Sequence, residues 1–227
     1  MKSQARRLMF ALVGAALTLC AGTYAQDLYP VGQKVSPPKK EYSPYAGDHF
    51  PNRVYFGDTH LHTSWSADSG MIGGTLGPDV AYRISRGEVV TSHLGWKVKL
   101  IRPLDFVVVA DHAENLGLAD FIRRSDPIIL ANETGKKWHD LVKAGKGYDA
   151  FLEWLRAENK DLIDEPRMVQ AVWSKVVKNV DDYYQPGVFS TFPAFEWTSH
   201  AGGNNLHRVV IFRDDGDRAS QVLPYSQ

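Results

Sequence analysis

Leu104-Asp105-Phe106-Val107-Val108-Val109-Ala110-Asp111-His112-Ala113-Glu114 decides the fold. A near-continuous apolar run from Leu104 to Ala110 predicts a strand buried on both faces, which is the habit of parallel strands covered by helices. Helical patterns separate it from other strand-like runs, so the chain reads as α/β. Titratable groups just past a buried strand lie at the carboxyl edge of such a sheet, where ligands bind. Asp111 and His112 are therefore candidate site residues, with a helix N-cap as the plainer role for Asp111.

The same arrangement recurs upstream in Val54-Tyr55-Phe56-Gly57-Asp58-Thr59-His60-Leu61-His62-Thr63-Ser64-Trp65-Ser66-Ala67-Asp68. A first strand is expected from near Arg53 to about Gly57. While the chain stays extended, Asp58, His60 and His62 share one face, with the two imidazoles about 7 Å apart along the backbone. Such a pair can converge on one divalent metal ion. A third instance is Pro193-Ala194-Phe195-Glu196-Trp197-Thr198, an apolar strand with one carboxylate in it. Burying that carboxylate unpaired is costly, so a cation or strong donors must face Glu196. His207 opens the next strand, and His200 lies beside Gly202-Gly203 in a turn on the substrate side. Mixed imidazole and carboxylate donors suit Zn, Mn or Fe.

Around these motifs, Pro78 opens a short helix that Gly87 ends. A helix is predicted over Asp149 to Glu158. Another follows Pro166, where Met168, Val169, Val172, Trp173, Val176, Val177 and Val180 recur at helical spacing. Strands are expected over Phe192 to Trp197 and Leu206 to Phe212, followed by a turn at Asp214 to Asp217.

The ends and the composition set the context. The chain has 227 residues, 44% of them hydrophobic, which is room for one sizeable domain. Residues 1–25 combine a basic start, an apolar run from Leu8 to Ala21 and the small residues Thr23 and Ala25, the pattern of a secretory signal cleaved after Ala25. That segment predicts a periplasmic or secreted protein, and holds Lys2, Arg6, Arg7 and the single cysteine, Cys20. The remaining basic side chains are outnumbered by 26 acidic ones, which argues against nucleic acid or an anionic membrane as partner. Residues 26–52, with five prolines, read as an extended linker. The folded domain is expected over 53–227. Without cysteine, any metal site there must use His, Asp and Glu.

At the three strand-end motifs the chain resembles the PHP superfamily of metal-dependent phosphoesterases, and within it an exported bacterial branch known only as a domain of unknown function. The resemblance implies a distorted (βα)7-type barrel, related to TIM barrels. It implies up to three divalent ions: one on His60 and His62, a second on His207 with Glu196 bridging to the first, a third on Asp68 and His112. A metal-bound hydroxide would attack a small-molecule ester, with Asp58 or Asp111 orienting the ligands. No histidine follows His207, whereas the resembled pattern continues with further ligands, so the expectation is an incomplete barrel and a poorly active N-terminal portion of a longer protein. Two alternatives stand beside this reading: an amidohydrolase-type metal hydrolase, and a non-catalytic exported metal-binding module.

Overall fold

The structure, a computed structural model, describes residues 53–156, 166–199, 201–203 and 205–225. The signal and linker expectations for 1–25 and 26–52, and His200, lie outside the described residues. The first strand, β1, is Gly57–Leu61; α1 (Ala67–Met71) and α2 (Pro78–Ser85) follow it. A small antiparallel pair, β2 (Val90–Thr91) and β3 (Lys97–Val98), leads to β4 (Phe106–Val109). Then come α3 (Leu118–Arg123), α4 (Pro127–Ala131), α5 (Glu133–Lys143), α6 (Gly147–Arg156) and α7 (Pro166–Tyr183). The chain continues through β5 (Ser190–Thr191), β6 (Ala194–Ser199), β7 (Leu206–Ile211) and α8 (Gly216–Ala219).

The mixed α/β class stands. β1, β4 and β5 form a parallel sheet in that order, and β6 and β7 form an antiparallel ladder in which Glu196 faces Val209 and Thr198 faces His207. The two are stitched beyond the end of β4. A parallel bridge joins His112 to Glu196, the Glu196 N–H donates to Asp111 O at 3.0 Å, and the Ala113 N–H donates to Glu196 O at 2.8 Å. Among the described residues the strands do not close into a barrel. The four strands expected from the sequence are there, shorter or displaced, with the two-residue strands β2, β3 and β5 added.

β4 sits where its sequence puts it. Val107 and Val109 pack with Tyr82, Val180 and Phe189 on one side, while Val108 and Ala110 pack with Ala194 on the other. Alternating side chains are buried both ways, and that is why Phe106 to Ala110 holds no polar residue. The stripe on α7 also behaves as read, with Met168, Val172, Trp173, Val176, Val177 and Val180 all buried. The Trp173 indole N–H donates to Ala219 O at 3.1 Å and ties α7 to α8.

Two expectations shift. The first strand runs from Gly57 to Leu61, not from Arg53 to Gly57, and Val54, Tyr55 and Phe56 are exposed. Pairing starts where Gly57 meets Phe106, because a Cβ at 57 would stand 2.3 Å from Phe106 O; only glycine admits that approach. At the far end, Asp215 is an N-cap: its carboxylate accepts from the Arg218 N–H at 3.4 Å, so the expected turn at 214–217 starts α8.

Candidate metal centre

Three segments deliver the site. β1 ends one residue before His62, and its register slips between Asp58, opposite Val107, and Leu61, opposite Val109. The extra residue is a bulge, and it breaks the strict alternation that would have kept Asp58 on the imidazole face. Asp58 instead turns back to accept the His60 N–H at 2.8 Å and belongs to none of the clusters. Beyond β1 the chain is pinned by Asp111, whose carboxylate accepts the Thr63 N–H at 2.5 Å and the Thr63 hydroxyl at 2.8 Å. Asp111 is thus not a helix cap and stands in none of those clusters; it clamps the loop that follows His62. Burial pushes its carboxyl up to about 6, against the opposing pull of the two Thr63 bonds.

His60, His62, Asp68, His112, Glu196 and His207 come together. They form three overlapping groups with donor atoms close enough to share an ion: His60, His62 and Glu196; His62, Asp68 and His112; His112, Glu196 and His207. Glu196 is central and 1% exposed. Its Oε2 lies 2.8 Å from His62 Nε2, 3.1 Å from His60 Nε2 and 3.5 Å from His112 Nδ1, and its Oε1 lies 2.6 Å from His207 Nδ1. By distance the contacts to Oε2 would count as hydrogen bonds. By angle they do not, and Oε2 has no hydrogen-bond partner. The angle is the stricter criterion. A buried carboxylate oxygen ringed by imidazole nitrogens whose N–H directions miss it is an arrangement that could hold a cation.

The remaining contacts sort the nitrogens. His62 Nδ1 lies 2.9 Å from Asp68 Oδ2, which frees Nε2 to face Glu196. His112 Nδ1 lies 3.2 Å from Glu114 Oε2, and its Nε2 lies 3.8 Å from Asp68 Oδ2. The Ser66 hydroxyl accepts the His112 N–H at 3.1 Å, so the loop after β1 and the end of β4 are joined at the site. A carboxylate can bridge two ions through two oxygens, whereas an imidazole nitrogen serves one. Glu196 can therefore belong to two groups at once.

Charge follows this packing. Burial pushes the His62 imidazole down, but the adjacent Asp68 and Glu196 outweigh it and raise it to about 10. Burial pushes Glu196 up, yet the proximity of His62, His112 and His60 brings it down to about 2. Asp68 is likewise driven well below the usual carboxylate range: burial opposes the shift, and His62 and Ser66 prevail.

Two openings reach the cluster. A cavity of about 180 Å³ abuts Asp68, His112 and His207 and is walled by Phe151, Trp154 and Leu155 of α6. A wider cleft of about 540 Å³ runs from His62 past Gly73 and Thr75 to His93. Sequence reasoning assigned nothing to Glu114 or Thr198, although an acid two residues after His112 was in plain view. The aromatic wall from α6 carried no polar signal at all.

Over residues 49–227 the chain matches the family described as Protein of unknown function (DUF3604). No curated protein and no solved structure matches it.

Proposed function

Because the chain belongs to the DUF3604 family of proteins of unknown function, we propose from its site that it is a metal-dependent hydrolase of ester bonds, with a phosphoester as substrate. The observation that carries this reading is the buried Glu196 Oε2, ringed by His60, His62 and His112 without a hydrogen bond to any of them. The likeness of the three strand-end motifs to the PHP superfamily supports the phosphoester and a barrel-related architecture. The donor set supports Zn, Mn or Fe.

In this reading His60 and His62 would hold one ion, Glu196 and His207 a second with Glu196 shared between the two, and Asp68 and His112 a third. Cations bound there would make a water acidic and polarise the scissile ester. The protein's own contributions are positional. Asp68 keeps a proton on His62 Nδ1 and so presents Nε2 inward. Asp111 clamps Thr63 and thereby fixes where His62 stands. Phe151 and Trp154 shield one side of the site from water. We also propose export, with residues 1–25 removed.

The test is metal content and turnover side by side. The purified chain, stripped and reloaded with Zn²⁺ or Mn²⁺, is assayed on p-nitrophenyl phosphate, bis-p-nitrophenyl phosphate, p-nitrophenyl sulfate and a p-nitroanilide. Phosphoester turnover is expected, and Glu196→Gln should bind metal at least about 10- to 100-fold more weakly. Unchanged metal content in Glu196→Gln overturns the site, and turnover of the anilide alone overturns the ester.

A further inference from the structure

We infer that Glu114 is a positioning residue: it holds the proton of His112 on Nδ1 and so commits His112 Nε2 to the Asp68 side of the site. This rests on the metal reading above for its consequence, and on hydrogen-bond chemistry alone for its premise.

Glu114 is completely buried, and both of its oxygens are engaged by the residues that frame the site. Oε1 accepts the Thr198 N–H at 2.9 Å, which docks β6 against the end of β4. Oε2 lies 3.2 Å from His112 Nδ1. The other neighbours of that nitrogen are also oxygens, Thr198 Oγ1 at 3.4 Å and Glu196 Oε2 at 3.5 Å. With Glu114 accepting the Thr198 N–H through Oε1 and facing His112 through Oε2, the carboxylate acts as acceptor to both and the ring nitrogen donates. Nδ1 therefore carries the hydrogen, and Nε2 keeps the lone pair.

That choice removes an ambiguity in the cluster. His112 is common to the group with His62 and Asp68 and the group with Glu196 and His207. Its contact with Glu196 is through Nδ1, at 3.5 Å, while its contact with Asp68 is through Nε2, at 3.8 Å. With Nδ1 occupied by a proton, only the Asp68 side is open to it. Glu196 and His207 must then hold their ion without His112. A side chain that touches no ion thus divides the ligands between two of them.

Glu114→Gln reverses the assignment by a simple constraint. The Thr198 N–H requires an acceptor, so the amide oxygen takes the Oε1 position. The amide NH₂ then faces His112 Nδ1, which must accept, and the proton moves to Nε2. The experiment is nitrogen-15 imidazole NMR of the metal-free protein with the ring neutral, alongside Zn²⁺ titration of both forms. The wild type should show the Nδ1–H tautomer of His112 and Glu114→Gln the Nε2–H tautomer. The variant should lose roughly 10- to 100-fold in affinity at one Zn²⁺ position and little at the others. A role confined to packing would lower stability and leave the tautomer alone, and that result overturns the inference. So does an Nε2–H tautomer in the wild type, which is decisive even if Glu114→Gln fails to fold. If the tautomer switches as expected but neither form binds Zn²⁺, the positioning role stands and the metal-hydrolase reading falls.

Discussion

Asp111 shows how one side chain can shape a site from outside its clusters. Its two oxygens receive the Thr63 N–H and hydroxyl in a site 2% exposed. Asparagine can keep both contacts, because its oxygen accepts from the N–H and its NH₂ donates to the hydroxyl. It also removes a buried charge. Asp111→Asn should therefore fold with a stability within about 1 kcal/mol of the wild type. Asp111→Ala strands a buried N–H and should cost about 1–3 kcal/mol in urea denaturation. Equal losses in the two variants would mean that the charge, not the pairing, matters. At this scale the sequence was informative about which residues are expensive to bury. His60, His62, His112, Glu196 and His207 stood out because each is polar within or at the end of an apolar strand, whereas Asp68 entered through the family resemblance. It was silent on which nitrogen of an imidazole faces which oxygen, since that depends on angles between segments far apart in the chain. Asp58 was misread for a related reason: one inserted residue in β1 is invisible to a rule of alternation.

Among the elements, the turn between β4 and α3 is the most constrained. Gly117 has φ 86°, its N–H donates to Trp65 O at 2.8 Å, and a Cβ on it would stand 2.4 Å from Val172 Cγ2. An alanine there meets the left-handed penalty of about 1–2 kcal/mol and the wall of α7 besides. Gly145, with φ 76° and nothing within 4 Å of an added Cβ, meets only the first. Gly117→Ala should thus lower Tm clearly more than Gly145→Ala, and should also weaken metal binding by moving His112. Similar Tm losses would show that α7 yields. The long α7 and the buried β4 were legible because their apolar spacing persists over many residues. The short helices α3 and α4 were not, since each is too brief to show a stripe, and α5 was missed although it is longer than the α6 that was expected. Two of them start at side-chain caps instead: Asp126 accepts from the Ile128 N–H at 3.0 Å, and Asn132 from the Gly135 N–H at 2.9 Å.

For the molecule as a whole, the cluster sets a pH window. Glu196 and Asp68 lie below their ordinary values of 4.5 and 3.8, so their contribution is complete above those values and is lost as pH falls, for Glu196 through about 2. His62 is raised from 6.5 to about 10, so its contribution is complete below 6.5 and fades as pH climbs toward 10. Asp111, raised from 3.8 to about 6, loses its contribution as pH climbs between those values and so draws the maximum toward the acid end of the window. The metal-free protein should melt highest between about pH 4.5 and 6.5. If His62 holds Zn²⁺, the ion competes with its proton, and the rise in Tm on adding Zn²⁺ should grow between pH 6.5 and 8.5. A rise independent of pH would mean that His62 is not a ligand. At this scale the α/β class followed from the alternation of strand and helix patterns, but the joining of sheet to ladder through a bridge at His112 and Glu196 left no mark in either segment alone.

That bridge has a kinetic consequence. Glu114 and Thr198, which meet beside it, are 84 residues apart in sequence, and closing so long a loop is entropically late work for a folding chain. The candidate ligands run from His60 to His207, and although His60, His62, Asp68 and His112 can gather once β1 pairs with β4, the central Glu196 joins them only when the β6–β7 ladder docks. A metal ion that depends on Glu196 would then bias little of the transition state. In stopped-flow refolding, Zn²⁺ should leave the folding limb nearly unchanged and act by slowing unfolding, the behaviour of an interaction with φ near zero. Acceleration of the folding limb by Zn²⁺ would instead make the ion a nucleus of the fold rather than a lock added after the chain has closed.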